Sequence, residues 1–300
     1  MRWIKKGLIF EAGYHSSLLM SHAALPFVDF YDKNIYRIYF TSRDDQTHSH
    51  VHYIEIELNE LCAIRTCSQE PILSPGALGG FDDSGAMGSW MIRENNRCFL
   101  FYTGWSLGIT VPFYFSIGLA ISNDGEHFSK ISRGPLFDRN EYDPFLSASP
   151  CVIKDRKVWK MWYVSGLKWV IEKGKPKHFY HIKYAESFDG IAWKRDGIVA
   201  IDFKSEDEYA IARPCVIKDG DIYKMWYCYR GDSYRIGYAE STDGISWVRK
   251  DDEAGIDVSE SGWDSQMIAY PFVFDHKGKR YMLYNGNEYG KTGFGLAILE

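Results

Sequence analysis

Hydrophobic and polar positions alternate through most of this chain in short runs, and the runs come back in the same order. Five are rich in aromatic residues: YRIYFTS (36–42), CFLFYTG (98–104), VWKMWYVSG (158–166), YKMWYCY (223–229) and RYMLYNG (280–286). Each follows an apolar run and a tight turn, as in CVIKD before VWKMWY. Each is followed by a third run: VHYIEIE, SIGLAIS, IKYAESF, IGYAEST or FGLAILE. Period-two alternation bounded by turn residues reads as half-buried strands. Asp-Gly pairs at 124–125, 189–190 and 243–244 mark hairpins into a fourth strand starting at Phe128, Trp193 or Trp247.

Two copies make the repeat explicit. ASPCVIKDRKVWKMWYVSG (148–166) returns as ARPCVIKDGDIYKMWYCYRG (212–231). With Pro26, Ser89, Pro150, Pro214 and Pro271 equivalent, the spacings are 63, 61, 64 and 57 residues. A period of this size filled with strands predicts a propeller. The expected fold is all-β: a five-bladed β-propeller, four antiparallel strands per blade, one domain over residues 1–300. The sequence stops after a third strand, and RWIKKGLIF (2–10) resembles a fourth, so the N-terminal strand is expected to close the last blade.

Composition narrows the function classes. The chain has 300 residues, 45% hydrophobic, with ten Trp and 21 Tyr, which suit packed strands and also surfaces that stack on sugars. Net charge is −5 with both signs mixed, and no basic block suggests a nucleic-acid partner. No apolar run reaches 18 residues, so no membrane partner is expected, and the first apolar stretch is too short for a secretory signal. Six cysteines without metal-ligand spacing fit a reduced, cytoplasmic setting, and no cofactor is expected. Three histidines alternate at 48, 50 and 52; a metal there would need a further ligand.

In such a fold the loops entering strand one and joining strands two and three share one face, and these are the long loops here. Seven residues before the reference position stand Asp82, Asp143, Asp207 and Asp264, with Leu19 in the first blade. A recurring Asp is expected to cap its loop through backbone N–H groups; Asp143 and Asp264 are also candidates for substrate contact. One residue later only Asp83 and Glu208 are carboxylates. They are the candidate catalytic pair, facing each other across the channel mouth as acid and as base or nucleophile. Arg213 starts a channel-lining strand, either paired with Glu208 or Asp207 or aimed at a ligand. His22, Arg43, Trp105, Arg230 and Tyr270 complete the candidate substrate-binding set.

The repeated strand one, the YxMWY second strand and the AxSxDGxxW hairpin together resemble the five-bladed β-propeller glycosidase superfamily, which includes glycoside hydrolase and phosphorylase families 32, 43, 68 and 130. The resemblance spans the whole chain. It implies a funnel that binds a carbohydrate or sugar-containing small molecule, and acidic residues that act on a glycosidic bond. Those families often place a catalytic Asp directly before a Pro at the start of strand one. Here that slot holds Leu25, Gly88, Ser149, Arg213 and Tyr270, so no catalytic residue transfers. The expected activity is glycoside hydrolysis by Asp83 and Glu208. Phosphorolysis, glycosyl transfer and sugar binding without catalysis are the alternatives.

Overall fold

A computed structural model describes residues 1–13, 16–59 and 62–300. Each repeat forms an antiparallel meander, and there are five of them. The first comprises Ser21–Asp32, Ile35–Arg43, Ser49–Glu57 and Ala63–Cys67. The second comprises Gly85–Glu94, Arg97–Leu107, Phe113–Ser122 and Ser129–Lys130. In the third, Ser147–Asp155, Val158–Glu172 and Lys175–Ser187 are edged by Trp193–Lys194 and Val199–Ile201. The fourth runs Ala210–Asp219, Ile222–Arg230, Tyr234–Ser241 and Val248–Arg249. The fifth joins Ala269–His276, Lys279–Asn285 and Phe294–Leu299 to the N-terminal strand Trp3–Phe10. The first strands touch in a closed circuit, each against the next and the fifth against the first. Among the described residues these meanders close into a β-propeller.

Aromatic side chains of the second strands fill the gaps between blades. Trp162 and Trp226 are fully buried. Trp162 donates its indole N–H to the Gly244 carbonyl of the next blade's Asp-Gly hairpin, as the Tyr39 hydroxyl does to Gly125. Trp226 meets Trp3 of the closing strand edge to face at 6.1 Å. The hairpins themselves are pinned locally: Oδ1 of Asp124, Asp189 and Asp243 each accepts two backbone N–H groups.

The recurring loop Asp does something other than cap its loop. Asp82 accepts from Tyr102 Oη at 3.0 Å and Lys130 Nζ at 2.6 Å. Asp264 accepts from Tyr284 Oη at 3.1 Å and Lys5 Nζ at 2.7 Å. Asp143 accepts from Tyr163 Oη at 2.9 Å, Ser165 Oγ at 2.6 Å and Arg195 Nη1 at 3.3 Å. The unit is thus a buried carboxylate, a second-strand Tyr and a cation in the fourth strand or, for Arg195, just after it. Burial beside the carboxylate pushes each Tyr hydroxyl well above its ordinary range. The fifth unit is completed by Lys5, so the N-terminal strand supplies chemistry as well as hydrogen bonds. In the first blade the same places hold Leu19 and Phe40, both in the hydrophobic core.

Candidate functional site

Every first strand carries an irregularity at the same point. Register shifts fall between Ala24 and Phe27, Gly88 and Trp90, Ala148 and Cys151, Ala212 and Cys215, and Ala269 and Phe272. Inside four of these bulges Leu25, Ser149, Arg213 and Tyr270 have φ of 56°, 46°, 55° and 56°. Non-glycine residues in this left-handed region cost about 1–3 kcal/mol each and persist only where the surroundings hold them. The holding contacts come from the preceding blade. The Leu25 N–H donates to Asn285 Oδ1 and the Ser149 N–H to Thr103 Oγ1, both at 2.8 Å. The bulge re-aims the residue at the channel instead of leaving it in the pleat.

Around these residues lies a cavity of about 250 Å³. Its polar wall is His22, Arg43, Thr103, Ser149, Tyr180, Tyr270 and Tyr289; Leu25, Met87, Phe115, Leu146, Ala148, Val164 and Ala212 make the rest. The lining comes from first-strand starts, second-strand ends and third-strand starts, the face expected from the loops. Depressions of about 710 and 780 Å³ lie at turns between first and second strands, such as Lys277–Lys279 and Arg156–Val158, away from the channel mouth, and one of about 680 Å³ is lined by Leu167, Lys168, Phe179, Phe203 and Glu208 beside the long hairpin of blade three.

Aromatic groups dominate one side. Tyr180 and Tyr234 share a hydroxyl–hydroxyl bond of 2.5 Å, and Tyr234 packs near Tyr270 and Tyr289 at 6.0 and 6.2 Å. Arg230 lies over the Tyr209, Tyr234 and Tyr289 rings at 5.3–5.6 Å. The long second hairpin of blade three extends this wall: His178 stacks on Tyr180 at 4.8 Å, and Trp169 meets Phe113 at 5.2 Å. Tyr289 stands at the rim in the Asn287–Gly290 turn, with Glu288 and Tyr289 at φ 54° and 59°.

The electrostatics are those of cations without counter-ions. His22 Nδ1 is 3.0 Å from Ser21 Oγ. Burial, then Arg43 and Lys291, lower its pKa to about 4, so the imidazole is neutral at pH 7. Burial also lowers the pKa of Arg43. Beneath the cavity Arg213 is fully buried and donates to the carbonyls of Ser89, Leu25 and Pro26, spanning the channel from blade four to blades one and two. Burial lowers its pKa to about 10. The expected pairing of Arg213 with Glu208 or Asp207 is not formed; backbone carbonyls take its protons.

The structure therefore brings His22, Arg43 and Tyr270 together at the mouth, with Arg213 below and Arg230 behind the tyrosines. It does not bring Asp83 and Glu208 there. Asp83 accepts from the Gly79 N–H at 3.0 Å and from Ser84 Oγ at 3.0 Å, within its own loop. Glu208 accepts from Arg249 Nη1 and Nη2 at 2.7 and 2.9 Å and from the Lys204 N–H at 2.9 Å. In blade four Glu208 shares the Arg249 cation with Asp251, and it is Asp251 that accepts from the second-strand Tyr227 hydroxyl; Asp207 is exposed. Asp143 and Asp264 are enclosed in the units described above and do not line the cavity. Trp105 donates its indole N–H to Ser49 Oγ at 3.1 Å and stands outside it. His48 and His50 both bond Asp44, and His52 bonds Ser68. Sequence reasoning misses Tyr180 and Tyr289. Both depart from the repeat at third-strand and second-strand ends, the same signal that singles out Arg43.

No protein-family model matches the chain. It is 44% identical over 300 residues, the full length on both sides, to the uncharacterized proteins MT1551 and Rv1502 of two Mycobacterium tuberculosis strains. Solved structures share its fold. A glycosyl hydrolase from Bacteroides ovatus superimposes with TM-score 0.76 at 13% identity, covering 100% of this chain and 94% of that one. A thermostable family-43 glycoside hydrolase gives 0.72 at 18% identity, covering 95% and 91%. A sucrose-6-phosphate hydrolase from Lactobacillus gasseri gives 0.66 at 14% identity, covering 97% and 60%.

Proposed function

We propose, for a chain that belongs to one family with these two mycobacterial proteins and shares its fold with glycoside hydrolases, that the channel-mouth cavity binds a carbohydrate. One observation carries the reading: hydrogen-bonding groups and aromatic rings converge on a cavity lined by three left-handed bulge residues, Leu25, Ser149 and Tyr270. Concave sites with a few placed polar groups suit small ligands, and a sugar offers hydroxyls to the first and C–H faces to the second. His22, Arg43, Ser149 and Tyr270 would hold hydroxyls, and Tyr289 would cover the ring. Six free thiols, four of them buried, support a reducing, cytoplasmic setting. Calorimetric titration with a broad glycan panel tests the reading. Wild type should bind at least one probe, and Tyr289→Ala should weaken it about tenfold, roughly 1.4 kcal/mol. Undiminished affinity in that variant would remove Tyr289 and this cavity from the binding site.

Hydrolysis of a glycosidic bond by Asp83 and Glu208 is the second reading. The fold shared with glycosidases favours it, as does the position of both carboxylates on loops of the same face. Protonation of the leaving oxygen by one and activation of water by the other would complete the reaction. The Arg249 clamp on Glu208 weighs against it. Turnover of the panel by wild type, lost in Asp83→Asn or Glu208→Gln with binding intact, would establish it. Turnover surviving both variants would end it.

A further inference from the structure

Among the described residues eight arginines are buried or half-buried. Five of them meet carboxylates: Arg37 meets Glu55 and Glu126, Arg195 Asp143, Arg235 Asp257, Arg249 Glu208 and Asp251, and Arg280 Asp219 and Asp275. The other three are Arg43, Arg213 and Arg230, and all three stand around the channel-mouth cavity. Arg43 lines it, with no hydrogen bond or ion pair of its guanidinium among the described residues. Arg213 follows the lining residue Ala212, and Arg230 backs the lining residue Tyr289. Arg213 and Arg230 each keep a buried Nε–H without an acceptor. No Asp or Glu lines the cavity. Glu288, on the rim turn, is exposed and tied to Lys291 at 2.9 Å.

Elsewhere in this molecule a guanidinium withdrawn from water is given a carboxylate. Here three are not, and they converge. A desolvated cation without a counter-charge is costly. The hydroxyls of a neutral sugar would satisfy donors but leave the charge uncompensated. An anion satisfies both, and guanidinium groups bind phosphate and carboxylate oxygens by short, charge-assisted bonds.

We propose that the cavity recognises its sugar through an anionic substituent, a phosphate or a carboxylate, held directly by Arg43 with His22, while Arg213 and Arg230 supply the surrounding positive field. This inference rests on the carbohydrate reading above. With His22 Nδ1 engaged by Ser21 Oγ, Nε2 is the ring nitrogen left for the ligand. Burial, Arg43 and Lys291 keep His22 neutral against the opposing pull of Glu288, and a bound anion would add to that pull. Binding should therefore draw a proton onto His22.

The experiment is calorimetric titration of the full chain with matched triples of glucose, galactose and mannose: the free sugar, the 6-phosphate and the uronate. Inorganic phosphate is a further probe. Wild type, Arg43→Gln and Arg43→Lys are compared, each checked for an unchanged thermal midpoint. At least one anionic member should bind ten- to a hundredfold tighter than its neutral parent. Arg43→Gln should weaken the anionic member far more than its neutral parent and so erase the preference, and Arg43→Lys should restore part of it. The phosphate and uronate arms identify which anion is taken. Equal affinity across the triples, or a preference that survives Arg43→Gln, overturns the anion subsite and leaves the carbohydrate reading intact. Inorganic phosphate binding that needs Arg43, with no sugar binding, keeps the subsite and overturns the carbohydrate reading. Absence of binding by every probe overturns both.

Discussion

Replacing Glu208 by Gln separates a structural carboxylate from a catalytic one. In the structure Glu208 is buried, and its two oxygens accept two bonds from Arg249 and one from the Lys204 N–H. Hydrogen bonds to charged groups are worth about 1.5–3 kcal/mol each, and breaking a buried pair costs about 3–5 kcal/mol. Two features reduce this. Arg249 keeps Asp251 at 2.8 Å, and Gln retains one acceptor. The expected loss is about 2–3 kcal/mol, or roughly 3–5 °C in thermal midpoint for a protein of this size. Arg249→Met should cost more, because it strands Glu208 and Asp251 together without their shared cation. The assay is a double-mutant cycle on urea midpoints, in which the coupling energy should be about 1.5–3 kcal/mol. Wild-type stability in Glu208→Gln, or a coupling near zero, would refute the assignment and free Glu208 for chemistry.

Other outcomes follow from the same contacts. Asp143→Ala leaves Lys183 and Arg195 facing each other beside two orphaned hydroxyls, and should destabilise by about 3–5 kcal/mol, clearly more than Asp82→Ala, whose only charged partner is half-exposed Lys130; equal losses in denaturant titration would count against the unit. Stability should fall as pH drops from about 6.5 toward 4. His22, His52 and His178 are held near 4 by burial, so the unfolded chain binds more protons throughout that window. Replacing His178 by Gln should flatten the pH dependence by on the order of 1 kcal/mol at pH 5, and an unchanged slope in pH-stepped urea titrations would show that its burial does not control its titration. Lys5→Met removes the cation of the fifth unit at its least enclosed position, and should cost about 1–2 kcal/mol, read as a lower thermal midpoint; no change would show that Asp264 is satisfied by Tyr284 alone.

The architecture was legible because each blade states the same pattern again, and the N-terminal run could be recognised by comparison with residues 192–200. The buried units were half legible. Their Asp and Tyr recur at fixed offsets, but the cation comes from the short fourth strand or just after it, where sequence alternation is too brief to register. In blade four the Tyr227 hydroxyl goes to Asp251, beyond the fourth strand, and Glu208 meets the same Arg249; an offset-based alignment cannot see that sharing and reads Glu208 as a catalytic departure. The lining of the cavity was legible where a residue broke the repeat at a strand end, as His22, Arg43 and Tyr270 do. The partners of Arg213 could not be read at all: they are backbone carbonyls 124 and 187 residues away, and every residue has a carbonyl.

Closure by the strand Trp3–Phe10 has a consequence for biosynthesis. Its partner, Phe294–Leu299, is made only after residues 11–293, so the strand Trp3–Phe10 must wait through that whole stretch of synthesis. Through that interval four blades can fold on their own local pairings, while the ring stays open and both of its edges are bare. Lys5, Lys6 and the φ +94° Gly7, with the register breaks around Gly7, make this waiting edge charged and irregular, a poor template for a stray strand. The last step of folding is then a single long-range docking event, slow relative to the hairpins before it. A nascent chain stalled before residue 294 would present the propeller with its seam open.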